Sequence, residues 1–160
     1  AKARRDWLKA IHDIGGTTAR MIAEASVGQG AEGRDGDAYL AAATGYVETM
    51  YEGKVPLRPI FDALVEMALS LGADVRICPC KTIVPLYRTH VFGEIKPTTK
   101  TRVDLGLALK GVDRALPERL IDTGGLAKRD RITHRFALSA VEEIDGQVAE
   151  WLRVAYELDD

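Results

Sequence analysis

VPLYRTHVFGEIKPTTKTRVDLGLALK, residues 84–110, carries the pattern from which the fold class of this chain is inferred. Apolar residues alternate with polar or small ones in short segments, most regularly at Val103, Leu105, Leu107 and Leu109. A repeat of two places successive side chains on opposite faces of a β-strand. The stretch therefore predicts antiparallel strands with one apolar and one polar face.

The same alternation continues on both sides of this stretch. Residues 75–78 and 131–138 each alternate apolar with polar side chains, so the sheet is expected to have about five antiparallel strands. The linking residues 111–130 are polar. For them we predict a short helical piece at 117–121 and a turn at Gly124-Gly125.

Apolar residues at helical spacing flank the strand-rich part. Residues 39–53 predict one helix, and a second is expected to begin near Pro59 and end at Gly72. Ser139-Ala-Val-Glu142 has the form of a capping box and predicts the start of a last helix. This order indicates an α+β fold: N-terminal helices, an antiparallel sheet, and a C-terminal helix packed on one sheet face.

The first part of the chain has a different character. Two short helices broken by Gly15-Gly16 predict a helical hairpin segment over residues 1–28. The polar, glycine-rich QGAEGRDGD at 29–37 predicts a linker, so the α+β domain is expected to span residues 38–160.

Charge is distributed unevenly along the chain. The net charge is −2, but residues 74–138 hold 13 Lys and Arg against 7 Asp and Glu, whereas residues 139–160 hold 1 against 7. The acidic last helix can neutralise the basic sheet beside it, or the basic part can bind an anionic partner. Two cysteines one residue apart and the lack of a long apolar run indicate a cytoplasmic protein without a membrane partner.

The polar side of the predicted strands gathers cationic residues, and alternation places Arg102, Asp104, Arg131, Thr133 and Arg135 together on it. Guanidinium groups bind carboxylates and phosphates through paired hydrogen bonds. We therefore predict a binding module that holds an anionic small molecule or peptide, although a solvated face with internal ion pairs fits the same pattern. The predicted ligand-binding residues are Lys81, Tyr87, Arg88, Lys96, Arg102, Asp104, Arg131 and Arg135.

Catalytic and cofactor signals are weak. No phosphate-binding loop, dinucleotide fingerprint or nucleophile motif occurs, so we expect no cofactor, and the sequence leans away from an enzyme without deciding the point. Cys78 and Cys80 form a spacing shorter than that of most zinc sites, so with His90 they are only weak metal candidates. A cysteine-dependent hydrolase or transferase, its thiolate favoured by nearby Lys81 and Arg88, is a weaker alternative.

Nucleic-acid binding is the second hypothesis. Residues 11–22, IHDIGGTTARMI, are similar to a helix-hairpin-helix, in which backbone N–H groups at the turn contact a DNA phosphate. The residues for that contact are Lys9, Gly15, Gly16 and Arg20, and the basic sheet is expected to bind the nucleic acid together with this segment. Asp13 stands where such a turn usually has its first glycine, and its carboxylate opposes phosphate binding.

Several stretches together carry a family resemblance. PCKTIVPLYR and KPTTKTRVDLGL, within residues 79–107, follow a helical segment that contains WLKAIHDIGGTTARMIA. This combination resembles bacterial proteins classed only as a domain of unknown function, in which a short helical segment precedes an α+β domain. The resemblance implies a cytoplasmic bacterial protein and supplies no activity, substrate or oligomeric state.

Overall fold

The structure, a computed structural model, describes residues 36–159. The chain divides between Thr44 and Gly45 into two units, and the second unit contains the whole sheet. The predicted hairpin segment at 1–28 and most of the predicted linker lie outside the described residues. The division into hairpin segment, linker and α+β domain therefore stays a prediction.

Four α-helices and six strands are described, together with single turns of 3-10 helix at Val55–Leu57 and Val141–Glu143. The helices are α1 (Gly36–Tyr51), α2 (Arg58–Leu69), α3 (Gly125–Lys128) and α4 (Gly146–Glu157). The strands are β1 (Arg76–Ile77), β2 (Val84–Tyr87), β3 (Val91–Lys96), β4 (Val103–Leu107), β5 (Ile121–Asp122) and β6 (His134–Leu138).

The strands form one antiparallel sheet in the order β1-β2-β3-β4-β6-β5. β3, β4 and β6 are joined in continuous register, and the two-residue strands β1 and β5 lie at the edges. The α+β class and the C-terminal helix are thus confirmed, with one strand more than expected. The additional strand, β5, lies within residues 111–130, for which a short helix and a turn were predicted.

The core lies on one face of this sheet. Val103, Leu105 and Leu107 of β4 are fully buried in one hydrophobic cluster with residues of α2 and α4. α2 contributes Leu64, and α4 contributes Leu152, both also fully buried. Removing such side chains from water is the main favourable contribution to folding, about 2 kcal/mol for each leucine.

One irregularity modifies this core. The pairing of β2 with β3 shifts between Leu86 and Tyr87, which leaves Phe92 without a strand partner opposite it. Phe92 is fully buried and meets the ring of Tyr156 on α4 edge-on, with centroids 5.7 Å apart. A β-bulge redirects side chains in this way, and here it adds an aromatic contact between the sheet and the last helix.

Two local predictions were wrong. The last helix begins at Gly146 with Asp145 as its N-cap, because the Asp145 carboxylate accepts hydrogen bonds from Gln147 N and Val148 N. Residues 117–121 are not helical; Leu120 N bonds to Pro117 O in a turn, and Ile121 begins β5. Of the predicted turn at Gly124-Gly125, Gly124 forms a bend in the left-handed conformation, and Gly125 begins α3.

Candidate functional site

The face of the sheet opposite the core, called the outer sheet face below, is where the sequence predicts a binding site. Strand register places Asp104 beside Lys96, and Glu94 and Arg135 on either side of Gly106. The alternation that predicted these positions is therefore correct for β3, β4 and β6. What the structure adds is how these charges are paired.

Asp104 is the centre of the first charged group. It is 9% exposed and accepts a hydrogen bond from Arg135 Nη1 at 2.9 Å and another from Thr98 Oγ1 at 2.7 Å. Arg102 Nη2 donates to it at 3.3 Å, and the buried Arg102 Nε lies 2.9 Å from Asp104 Oδ1 in an ion pair. A carboxylate that neutralises two arginines stabilises the sheet and lowers their affinity for an external anion.

Asp74 is the centre of the second group. Arg88 Nε donates to Asp74 Oδ2 at 2.9 Å, and the Tyr156 hydroxyl donates to Asp74 Oδ1 at 2.8 Å. Both bonds favour the ionised carboxyl and hold the pKa of Asp74 below its ordinary value. Arg88 also lies over the Tyr156 ring at 4.6 Å. These contacts join the loop before β1 to α4.

Asp159 is the centre of the third group, and its side chain is fully buried. It accepts hydrogen bonds from Arg131 Nη2 and from His90 N, the latter at 2.7 Å, and lies 3.3 Å from His90 Nδ1. Arg131 Nε donates to Val91 O at 2.6 Å. Arg131 thus ties the end of α4 to the turn between β2 and β3.

The remaining predicted residues are placed differently. Lys81 is exposed in the loop before β2, with its Nζ 5.9 Å from the centre of the Tyr46 ring. Tyr87 pairs with Arg76 at the β1 edge, and Lys96 is exposed at the end of β3. Thr133, predicted on the polar face, is fully buried, and its Oγ1 accepts a hydrogen bond from Leu109 N at 3.1 Å. That prediction was wrong because strand β6 begins only at His134.

The cysteines lie in an extension of the β1–β2 hairpin. Cys78 N bonds to Pro85 O and Cys80 N bonds to Ile83 O, and both thiols are free. Burial, and then the neighbouring Cys78, raise the pKa of the Cys80 thiol, the opposite of what activates a nucleophile. Among residues 36–159 no group of three or more His, Cys, Asp or Glu side chains could hold a metal ion. His90, the third weak metal candidate, contacts Asp159 instead.

The nucleic-acid residues Lys9, Gly15, Gly16 and Arg20 lie outside the described residues. Their hypothesis therefore stays a prediction. Over the described part of the chain, no helix is long and apolar enough to cross a membrane.

Glu94 is the most unusual acid of the outer sheet face. Its Cγ and the Cγ2 of Ile132 both pass over Gly106, where an added Cβ would lie 2.9 and 2.7 Å from them. Burial raises the pKa of Glu94, partly offset by the charge of Lys96. Ile132 is itself buried, so an apolar side chain from the segment before β6 lies over Gly106 together with Glu94.

A cleft of about 510 Å³ opens beside the end of β4 and is called the basic cleft below. It is lined by Ala108, Lys110, Leu126, Arg129, Asp130, Arg131 and Leu158. Three cations, one carboxylate and two exposed leucines thus face a single volume of the size that holds small ligands. Of the predicted residues, only Arg131 belongs to this cleft.

Two cations of the basic cleft are not neutralised. Lys110 and Arg129 are exposed and make no ion pair or side-chain hydrogen bond with any described residue. Arg129 also has a φ of 57°, the one left-handed non-glycine residue of the described chain. A non-glycine residue is uncommon in this conformation and costs energy there, and such residues cluster at functional sites.

A second cavity, of about 440 Å³, lies where α1 meets the turn before α2. Its cation, Arg58, is already bonded to Glu48 and Asp62 at 2.9 Å each. The Tyr51 hydroxyl at this cavity is buried without a partner among the described residues, and burial raises the pKa of Tyr51. Because Arg58 is already paired with Glu48 and Asp62, it is less available to a ligand. This cavity is therefore a weaker ligand site than the basic cleft.

Fold and surface together define a six-stranded antiparallel α+β domain with a charged cleft at one end of its central strands. Residues 47–159 match the sequence model of a family described as a domain of unknown function, DUF5655. The match covers 113 of the 160 residues, and the chain belongs to this family. Searches of the curated proteins and of the solved structures found no match. The predicted membership in an uncharacterised domain family is confirmed.

Proposed function

We propose that this protein is a binding module for an anionic small molecule or peptide, and that the basic cleft holds the anion. The observation that carries the proposal is the pair of unneutralised cations, Lys110 and Arg129, in a cleft of about 510 Å³. An arginine fork and a lysine ammonium beside each other match the oxygens of a carboxylate or phosphate.

The predicted arginines of the outer sheet face are already paired with Asp104, so we place the anion in the basic cleft rather than on that face. Asp104 neutralises Arg102 and Arg135, and Asp159 positions Arg131 at the edge of the cleft. Arg131 Nη1 has no partner among the described residues, so this nitrogen remains available to a ligand. The two free thiols fit a reducing compartment, and we place the binding activity in the cytoplasm on that ground.

Titration of ¹⁵N-labelled protein with inorganic phosphate and with citrate, followed by NMR, tests the proposal. We expect the amide signals of Lys110, Leu126 and Arg129 to shift most. Lys110→Glu should weaken binding by roughly tenfold or more, because it replaces an attractive charge with a repulsive one.

Lys100→Glu is the matched control, since Lys100 is exposed in the turn between β3 and β4 and does not line the cleft. Shifts that are absent, spread over the whole surface, or equally weakened by Lys100→Glu would refute an anion site in the cleft.

A further inference from the structure

The basic cleft contains charges of both signs that do not neutralise each other. Asp130 lines it beside Lys110 and Arg129, yet no nitrogen of a described Lys, Arg or His lies within 4.0 Å of its carboxylate. Its one hydrogen bond as an acceptor is a long one, 3.4 Å, from Ile132 N. Opposite charges that share a cleft without pairing leave both available to a ligand with separated charges.

The backbone holds these charges in place. Asp130 N donates to Gly125 O at 2.9 Å, and Arg129 N donates to Leu126 O at 3.2 Å, which closes the chain tightly around α3. Gly125 packs so closely that an added Cβ would lie 2.1 Å from Ile132 O. The backbone of the charged residues after α3 is therefore fixed in a turn before a ligand binds, so ordering that backbone costs little.

The cleft also has an apolar wall. Leu126 and Leu158 are 53% and 44% exposed, although leucine side chains are usually buried, and Ala108 lies in the same lining. A ligand that consisted only of charged groups would leave these side chains in water. Covering two half-exposed leucines adds a hydrophobic contribution for a ligand with an apolar body.

We propose that the ligand is a zwitterion with an apolar side chain, an apolar α-amino acid or a short apolar peptide with free termini. Its carboxylate contacts Lys110 and Arg129, its ammonium contacts Asp130, and its side chain packs on Leu126 and Leu158. This inference rests on the proposed function and specifies the ligand of the same cleft. It adds a negative residue, Asp130, to a site described so far by its cations.

Calorimetric titration of the full chain with a series of matched compounds tests the inference. L-leucine and leucyl-leucine carry all three groups and distinguish an amino acid from a peptide. 4-Methylpentanoate lacks the ammonium, 3-methylbutylamine lacks the carboxylate, and glycine lacks the side chain. We expect leucine or leucyl-leucine to bind roughly tenfold or more tightly than each incomplete compound, because the two compounds that lack a charge lose a charged hydrogen bond and glycine loses the apolar contact with the leucines.

Asp130→Asn isolates the role of the carboxylate. The side chain is exposed, and asparagine keeps an acceptor for Ile132 N, so the fold should persist. The variant should lose the preference for leucine over 4-methylpentanoate while binding 4-methylpentanoate as well as the unmodified protein does, or better. If the variant fails to fold, the compound series on the unmodified protein decides the question by itself.

The possible failures are distinguishable. If 4-methylpentanoate and phosphate bind in the cleft but leucine and leucyl-leucine gain nothing from the ammonium, the zwitterion inference is wrong and the anion site stands. If no anion binds, including phosphate, the proposed function and this inference both fall.

Discussion

Gly125 is the residue at which the turn beside the cleft is most sensitive to substitution. Gly125→Ala would place a methyl group 2.1 Å from Ile132 O, a backbone atom that cannot move without displacing β6. We expect the free energy of unfolding to fall by at least about 1–3 kcal/mol, the usual cost of overpacking. Urea denaturation measures this change.

Gly146→Ala is the control for that substitution. Gly146 is the first residue of α4, nothing lies within 4 Å of an added Cβ there, and alanine favours helix. Stability should be unchanged or higher. If both alanine variants unfold at the same urea concentration, the prediction that close packing at Gly125 makes Gly125→Ala destabilising is wrong.

Glu94 provides a pH-dependent prediction. Burial raises its pKa in the folded protein above the ordinary 4.5. As the pH rises, the unfolded chain therefore loses the Glu94 proton at a lower pH than the folded protein does. The free energy of unfolding decreases as the pH rises from 4.5 through the folded-state pKa. Glu94→Gln should be more stable than the unmodified protein at pH 7, and the difference should vanish below pH 4.5.

The measurement is urea denaturation of both proteins between pH 4 and pH 8. Glu157→Gln, an exposed position on α4, should leave the pH dependence unchanged. A constant difference between Glu94→Gln and the unmodified protein across this range would contradict the assignment.

Single residues also show how far the sequence predicts the candidate site. Alternation correctly assigned Asp104 and Arg135 to one side of the sheet, because strand geometry fixes which face a side chain occupies. It could not show that Asp104 neutralises Arg135, or that Asp159 engages Arg131 from 28 residues away. Such pairs depend on tertiary distance, and nothing in local spacing encodes it.

At the scale of elements, α4 shows that local capping signals can compete. Ser139-Ala-Val-Glu142 and Asp145 are both acceptable cap sequences, and the structure uses the second. Glu143, not Glu142, bonds back to Ser139 N at 2.6 Å and closes a single 3-10 turn. The helix itself was predictable from its apolar stripe, but its first residue was not.

The segment before β5 was mispredicted for a related reason. Arg119 donates to Asp145 Oδ2 and to Glu143 O, and its guanidinium lies 5.8 Å from the Phe136 ring centre. These contacts to distant elements favour an open turn over the helix that 117–121 suggests. Lys110 and Arg129 were missed because Lys110 precedes the polar segment 111–130 and Arg129 lies near its end, where no periodic pattern marks them. The run Lys128-Arg-Asp-Arg131 after two glycines was the one available signal.

The cap of α4 leads to a prediction. Bonds from Val148 N, Arg119 and Gln147 N hold the pKa of Asp145 below its ordinary 3.8. Its contribution to stability is complete above pH 3.8 and is lost as the pH falls through the lower folded-state pKa. Asp145→Ala should lower the melting temperature at pH 7, because two backbone N–H groups lose their acceptor.

Asp145→Asn separates the two roles of this residue, since asparagine also caps helices but does not titrate. In thermal unfolding between pH 2 and pH 7, it should melt near the unmodified protein at pH 7 and lose less stability on acidification. Equal melting of Asp145→Ala and the unmodified protein at pH 7 would show that the cap contributes nothing.

At the scale of the whole molecule, the charge asymmetry of the sequence has a structural counterpart. Ion pairs connect Arg114 to Glu150, Arg119 to Asp145, and Arg131 to Asp159. The acidic end of the chain thus neutralises part of the basic middle, one of the two alternatives that the sequence left open. Lys110 and Arg129 take part in none of these ion pairs.

Of the ion-pair residues, Asp159 is the one whose substitution should destabilise the domain most. Asp159→Asn removes the charge that holds Arg131 and the His90 amide to the end of α4. We expect a loss of about 1.5–3 kcal/mol, the range for a hydrogen bond to a charged group. Hydrogen exchange at the His90 amide should also become faster.

Glu157→Gln, two residues earlier and exposed, serves as the comparison and should change neither quantity. Unaltered exchange at His90 in Asp159→Asn would mean that this carboxylate does not tie the turn between β2 and β3 to α4.

The two-residue edge strands have a consequence for the behaviour of this protein at high concentration. A sheet grows into aggregates when a long, flat edge offers unpaired N–H and C=O groups to another molecule. β1 and β5 offer only two residues each. Among residues 36–159, the edges of the sheet thereby offer little backbone from which a second copy could extend it, which disfavours edge-to-edge association.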